Sequence, residues 1–236
     1  MNERTSFIPM CKKSLRTQAH ERRSSFLAAD RMQEDAAITA QVLALPEWQQ
    51  AQTVFAYVSL PEEVSTVALI EAAWNQGKDV VFPRMDPQTK RLLWYIIAPQ
   101  SNYVQLAAVD EFASIGFERS AFGVWEPMIS PTAQIHVGQG YPQVPGARPI
   151  QGHAAYNSVT EPSQLALIPG LVYDHMGFRL GYGAGCYDRF LSIFPGFSVG
   201  VVHSPNFIDN LDSEHCLTNR DLPVRCVVCN KHVIRP

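Results

Sequence analysis

Two rhythms of hydrophobic and polar positions run through this chain, and the switches between them mark its elements. Thr53–Leu60 (TVFAYVSL) is rich in β-branched and aromatic residues and reads as a strand. Pro61, Glu62 and Glu63 end it, Ser65 caps a helix reaching about Gly77, and Asp79–Phe82 is the next strand, closed by Pro83 and Arg84. A strand–helix–strand unit predicts parallel pairing with a right-handed crossover. In such sheets ligands gather beyond the carboxyl ends of strands, where Glu62, Glu63 and Arg84 stand. Leu165–Ile168 is an unbroken apolar run, too short for a stand-alone helix and suited to a strand buried on both faces. Arg91–Ala98, after a turn at Asp86–Lys90, Phe197–His203 and Val224–Val228 also read as strands, and Phe207–Cys216 as loop and short helix. Helical spacing appears over Lys12–Arg23 and over Met32–Leu45, where Asp30 is placed as N-cap with Gln33 in a capping-box relation. Ile38, Val42 and Leu45 fall on its inward face. Together these elements predict one α/β domain spanning 1–236, a mostly parallel sheet flanked by helices.

Composition narrows the partners. The 236 residues are 46% hydrophobic and 17% charged, which suits a packed core rather than disorder. A net charge of -3 argues against a general nucleic-acid surface, so an anionic ligand must be met by a local cluster of cations. No apolar run approaches the roughly 20 residues needed to cross a bilayer. MNERTSFIPMCKK lacks the apolar centre of a secretory signal, so a cytoplasmic location is expected. The five cysteines, Cys11, Cys186, Cys216, Cys226 and Cys229, are odd in number and scattered, unlike a disulfide framework. Cys226 and Cys229 form a C-x-x-C inside an apolar strand with no second pair, so reduced buried thiols are expected there rather than zinc. Residues 128–164 carry many Pro and Gly and little periodicity, and His136 and His153 within them are too isolated to argue for a metal.

The chemistry concentrates in 165–191, LALIPGLVYDHMGFRLGYGAGCYDRFL. Pro169 and Gly170 break the regular pattern, Asp174–Gly177 reads as a turn, and Gly181, Tyr182, Gly183, Ala184 and Gly185 lead into a helical pattern from Cys186 to Phe194. Glycines at alternate positions suit a backbone that comes close to a ligand and aims N–H groups at it. Such a loop entering a helix is an anion site, which Arg179 and Arg189 would reinforce. Asp188 is placed to hold a metal ion or to cap the helix. The same residues also fit an ordinary flexible turn. No Gly-Lys-Ser/Thr follows, and the last glycine of the dinucleotide fingerprint is missing, so neither of those phosphate loops is present. Lys12 and Arg16, four apart in KKSLR, project from one helix face, and two cations so placed point to an anion nearby.

The run IPGLVYD–GFRLGYGAGCYDRFL resembles the signature of the 5-formyltetrahydrofolate cyclo-ligase family, also called 5,10-methenyltetrahydrofolate synthetases. Further segments resemble it too: KKSLR, LPEEVST, PRM, FGVWEP and NRDLPVRCVVC. The likeness covers roughly residues 12–127 and 165–229. It implies ATP-dependent closure of 5-formyltetrahydrofolate to 5,10-methenyltetrahydrofolate, on a fold type shared with ribose-phosphate isomerases and CoA transferases. ATP would meet Lys12, Arg16, Arg179, Gly181, Tyr182, Gly183, Ala184, Gly185, Cys186 and Tyr187, with Arg179 and Arg189 neutralising charge during catalysis. The folate would meet Glu63, Arg84, Trp125 and Tyr187. Magnesium would lie by Asp188 and Asp221. Residues 128–164 then read as a surface insertion, because the family crosses this gap in fewer residues. Two departures stand out: Cys186 replaces an aromatic residue, and Arg220 stands where the family often has His. They motivate an alternative, a member that binds folate or nucleotide without turnover. The small molecules are the only partners implied, and nothing in the sequence sets the oligomeric state.

Overall fold

The apolar run predicted to lie deepest does so: Leu165, Ala166, Leu167 and Ile168 are all fully buried. The computed structural model describes residues 3–128, 148–149, 163–212, 216–230 and 232–236. In chain order the helices are α1 (Glu3–Ser25), α2 (Ala28–Leu43), α3 (Pro46–Gln50), α4 (Val67–Asn75), α5 (Tyr103–Ala108) and α6 (Cys186–Leu191). The strands are β1 (Thr53–Phe55), β2 (Asp79–Met85), β3 (Leu92–Ile96), β4 (Phe117–Arg119), β5 (Trp125–Pro127), β6 (Arg148–Pro149), β7 (Gln164–Ile168), β8 (Val172–Asp174), β9 (Arg179–Leu180), β10 (Phe197–Val201), β11 (Phe207–Ile208), β12 (Cys226–Cys229) and β13 (His232–Ile234).

Eight of these strands form the main sheet in the order β13-β12-β10-β7-β1-β2-β3-β6. The five from β12 to β2 are parallel, and β13, β3 and β6 add antiparallel edges. Parallel strands need cover on both faces. One face packs Ile38, Val42, Trp48, Leu69 and Ile70 from the helices, with Leu45 between α2 and α3, against Val54, Leu165, Leu167 and Val199. The other packs Phe55, Val81, Ala166 and Ile168 against Trp94, Phe190 and Phe194. The result is an α/β fold with a mostly parallel sheet flanked by helices, as the pattern predicts. At 148–149, β6 joins the sheet edge through β3. His136, His153 and most of the stretch read as an insertion lie outside the described residues.

Several boundaries differ from the sequence reading, each for a local reason. β2 runs on through Pro83 and Arg84 to Met85, because β3 pairs with it that far. Asp79 N donates to Gln52 O and Ala56 N to Val81 O, so odd residues of β2 face β1. Pro83 is the next odd position, beyond the end of β1, so no ladder bond to that strand is lost there. α2 starts earlier than expected, so Asp30 lies in its first turn and the N-cap is Leu27. A carboxylate there still suits the helix dipole. Thr66, not Ser65, is the N-cap of α4, and its hydroxyl donates to Tyr57 O at 2.7 Å, stitching helix to strand end. The five scattered cysteines do not look like a disulfide framework, yet Cys11 and Cys216 are disulfide-bonded across 205 residues with Cα atoms 5.7 Å apart. Their sequence separation hid this, because only the docking of α1 beside residue 216 brings them together. Cys226 and Cys229 are buried thiols in β12, as expected.

A smaller sheet, β11-β8-β9, carries the turn that precedes the glycine loop. Asp174, fully buried, accepts from Met176 N, Phe178 N and Leu211 N and so fixes that turn. α1 lies across this sheet: Leu15 and Ala19 pack with Leu171, Val172, Leu180 and Leu211.

Candidate active site

The docking of α1 decides what the glycine loop meets. Leu15 and Ala19 face inward, so Lys12, Arg16 and Arg23, at spacings of four and seven, lie along the same side of the helix. Arg16 Nε donates to Gly181 O at 2.8 Å, and its guanidinium lies beneath Gly183, where a built Cβ would stand 3.3 Å from Nη2. Burial draws the Arg16 guanidinium below its ordinary value, with the charge of Asp221 opposing the shift. Lys12 Nζ donates to both oxygens of Asp221 at 2.7 Å. Thr218 donates to Asp221 Oδ2 from its amide and its hydroxyl, each at 2.7 Å. Burial pushes the Asp221 carboxyl up, but Lys12 and Thr218 together hold it below the ordinary range.

The loop itself needs glycine at two positions. Gly183 has φ +107 and Gly185 φ +67, and both conformations are unfavourable with a Cβ. Tyr182, Gly183 and Ala184 are exposed. Arg189 Nη1 donates back to Ala184 O at 2.8 Å, closing the loop from the α6 side. Arg179, 8% exposed, meets Asp188 Oδ1 at 3.1 Å and Leu222 O at 3.1 Å. Leu222 N lies 3.4 Å from the same Asp188 oxygen, so Asp188 and Asp221 are drawn to one neighbourhood. Both are committed to protein cations. Among the described residues no three His, Cys, Asp or Glu side chains converge as a metal site.

Across the loop from these cations lies Glu63, 6% exposed, in the turn after β1. Its Oε2 accepts from Leu60 N at 3.0 Å and its Oε1 from the Tyr182 hydroxyl at 3.0 Å. Arg23, 7% exposed, stands 3.8 Å from the same Oε1, donates to Tyr182 Oη at 3.2 Å and anchors on Gly170 O at 2.6 Å. Tyr57, Tyr173 and Tyr187 complete the surroundings. Burial pushes the phenol of each up, and the charge of Glu63 adds to it. Tyr173 also donates to Ile168 O at 2.7 Å, and its ring crosses Gly200 so closely that a Cβ there would stand 2.3 Å from it.

Lys12, Arg16, Arg179, Arg189, Asp188 and Asp221 therefore gather around residues 181–187, with Glu63 joined through Tyr182. Arg84 and Trp125 do not gather there. Arg84 Nη1 donates to Pro127 O at 2.8 Å and pairs with Glu118 at 2.6 Å. Trp125 packs against Phe112 and Arg119 in the core, and its indole N–H donates to Asp110 at 2.7 Å. Glu126, one position on, points the other way as strand alternation requires. It accepts from Met85 N, burial pushes its carboxyl up, and its charge is felt at Cys186. The Cys186 thiol is also pushed up by burial, against the pull of Arg189 and Lys90, so it is no activated thiolate. Sequence reasoning missed Arg23 and Glu126. It also missed Trp94, whose buried indole Nε1 has no hydrogen-bond partner.

A parallel α/β sheet with a cation-lined glycine loop and a buried carboxylate beyond the carboxyl ends of its strands is the arrangement of an α/β ligand-binding site. The model of the 5-formyltetrahydrofolate cyclo-ligase family matches residues 10–230, and the chain belongs to that family. It is 27% identical over 207 residues to the 5-formyltetrahydrofolate cyclo-ligase of Haemophilus influenzae, covering 86% of this chain and 91% of that protein. The mouse enzyme of that name is 25% identical over 184 residues, covering 78% of this chain and 75% of its own. Among solved structures, the fold resembles 5,10-methenyltetrahydrofolate synthetase from Aquifex aeolicus, with a TM-score of 0.64 at 22% identity over 95% of this chain and 92% of that one. The synthetase from Mycoplasma pneumoniae gives 0.59 at 16% identity over 93% and 99%. Among the described residues no helix is long and apolar enough to cross a membrane.

Proposed function

We propose that this chain catalyses the ATP-dependent cyclisation of 5-formyltetrahydrofolate to 5,10-methenyltetrahydrofolate, releasing ADP and phosphate. ATP transfers its γ-phosphoryl group to the formyl oxygen, N10 attacks the activated carbon and gives up its proton to water, and the oxygen departs as phosphate. An amide-like oxygen leaves poorly, and phosphorylation makes it a good leaving group. Phosphoryl transfer asks the protein mainly for positioning and charge neutralisation. The observation that carries this reading is that one helix, α1, supplies Arg16 to the glycine loop and Arg23 to the Glu63 cluster. Two binding regions so joined suit a reaction between two ligands.

In this reading the loop amides at 181–185, with Lys12, Arg16 and Arg189, hold the phosphates, and Arg179 neutralises charge from the buried side. Magnesium would be held by Asp188 and Asp221 and would offset phosphate charge; the bonds of Asp188 fall on Oδ1, which leaves Oδ2 for an ion. Glu63 accepts from the adjacent N–H donors of the pterin, and Tyr187 forms part of the wall for that ring. Arg84 and Trp125 fit support of the β4–β5 hairpin rather than folate contact. The chain is read as a single domain over 1–236, with 128–164 as its insertion.

The test is incubation with 5-formyltetrahydrofolate, ATP and magnesium, followed by the near-ultraviolet absorbance of the methenyl product. Absorbance that appears only with ATP is expected. Tight 5-formyltetrahydrofolate binding with no product would instead favour a family member that binds without turnover.

A further inference from the structure

Tyr182 belongs to two structures at once. Its backbone is part of the exposed glycine loop, and the residue is 52% exposed. Its hydroxyl nevertheless ends between two of the least exposed charged groups in the region, Arg23 at 7% and Glu63 at 6%. The hydrogen bonds form a directed chain: Arg23 Nη1 donates to Tyr182 Oη at 3.2 Å, and the Tyr182 hydroxyl donates to Glu63 Oε1 at 3.0 Å. Burial, and then the charge of Glu63, push the phenol well above its ordinary value, so it keeps the proton that it donates.

A carboxylate offers about four acceptor positions. Leu60 N takes one on Oε2, and Tyr182 takes one on Oε1. Among the described residues no further donor hydrogen-bonds to Glu63, so one position on each oxygen remains, in an orientation fixed by these two donors. That is what an adjacent pair of ligand N–H groups requires.

We propose that Tyr182 is a positioning residue that couples the two halves of the site, so that a nucleotide ordering the glycine loop fixes Glu63 for the folate, and the folate in turn orders the loop. This rests on the function proposed above. It goes beyond that reading by making the two affinities interdependent through one hydroxyl. Coupling of this kind is reciprocal by thermodynamic necessity, so each ligand tightens the other by the same factor.

Isothermal titration calorimetry with 5-formyltetrahydrofolate and the non-hydrolysable β,γ-imido analogue of ATP tests this. Each ligand is titrated alone and in the presence of the other. The unaltered protein is expected to show mutual tightening of about fivefold or more. Tyr182→Phe keeps the ring and the loop but removes the hydroxyl, and is expected to bind both ligands with mutual tightening below about twofold. Arg23→Lys keeps the charge but loses the fork that reaches Tyr182 and Gly170 together, and should lower the coupling in the same direction. Full coupling in Tyr182→Phe, or independent binding in the unaltered protein, overturns the proposal while leaving the assigned function intact. Failure of the unaltered protein to bind either ligand overturns both.

Discussion

The glycine loop and the Glu63 cluster sit side by side and are held in opposite ways. The loop is open: Tyr182, Gly183, Ala184 and Arg189 are exposed, and its shape depends on long side chains reaching in from α1 and α6. The Glu63 cluster is closed, with Arg23, Tyr57 and Tyr173 each at 7% exposure or less. The contrast suits two kinds of ligand. A hydrated, highly charged phosphate chain has to enter and leave, and charge on flexible arms in partial contact with water permits that. A flat polar ring gains most where water is excluded and acceptors are fixed beforehand. The lesson is that a change in the closed half removes an interaction nothing replaces, whereas a change in the open half is shared among several cations.

The largest expected effect therefore comes from Glu63→Gln. The amide cannot present two charged acceptors, and it leaves Arg23 buried beside a neutral group. Losing hydrogen bonds from the ligand to a charged acceptor costs about 1.5–3 kcal/mol, so 5-formyltetrahydrofolate affinity should fall on the order of 100-fold. Binding of the ATP analogue alone should change by less than about twofold, because every cation that faces the loop is retained. Calorimetry on the variant checks both. Equal losses for the two ligands would erase the distinction between the halves.

Gly183→Ala tests the open half in return. At φ +107 a side chain is strained wherever it points, and this one would approach the Arg16 guanidinium at 3.3 Å. A cost of about 1–3 kcal/mol should weaken the ATP analogue about tenfold while leaving folate binding measured alone near its original value. An unchanged nucleotide affinity would mean that the loop does not grip the phosphates.

Much of this arrangement is visible in the chain before folding. The parallel unit β1–α4–β2, the doubly buried β7 and the alternate glycines each follow from local chemistry, and local chemistry is what a sequence displays. Lys12 and Arg16 were legible because a spacing of four fixes a helix face. Arg23 follows by the same rule, seven residues beyond Arg16, but read among the five basic residues of Lys12–Arg23 it looks like solvated surface. Only the packing of Leu15 and Ala19 against β8 and β9 settles which side of α1 turns inward. Trp125 and Glu126 show the complementary limit. A strand sends neighbours to opposite faces, and the sequence does not say which face is the core, so nothing local marks Glu126 rather than Trp125. The Cys11–Cys216 bond lies beyond any local rule, since it depends on where two distant segments dock.

The smallest effect concerns Cys186, where the signature departs from its aromatic residue. Two readings compete: a reactive thiol that adds new chemistry, or a missing ring that leaves the pocket wider. A thiol at a helix start beside Arg189 has the ingredients for activation, yet burial outweighs the neighbouring cations and Glu126 adds to burial, so the group stays protonated. The proposed reaction needs no thiolate. The wider pocket is the reading that remains, with Tyr187 supplying aromatic surface from the next position. Cys186→Tyr should then restore a stacking surface worth about 0.5–1.5 kcal/mol, seen as a two- to tenfold gain in turnover at low substrate. The resemblance places residue 186 against ATP, so affinity for the ATP analogue should rise with it. A gain below twofold counts against the wider pocket, and one seen with the folate alone would place residue 186 in the closed half instead.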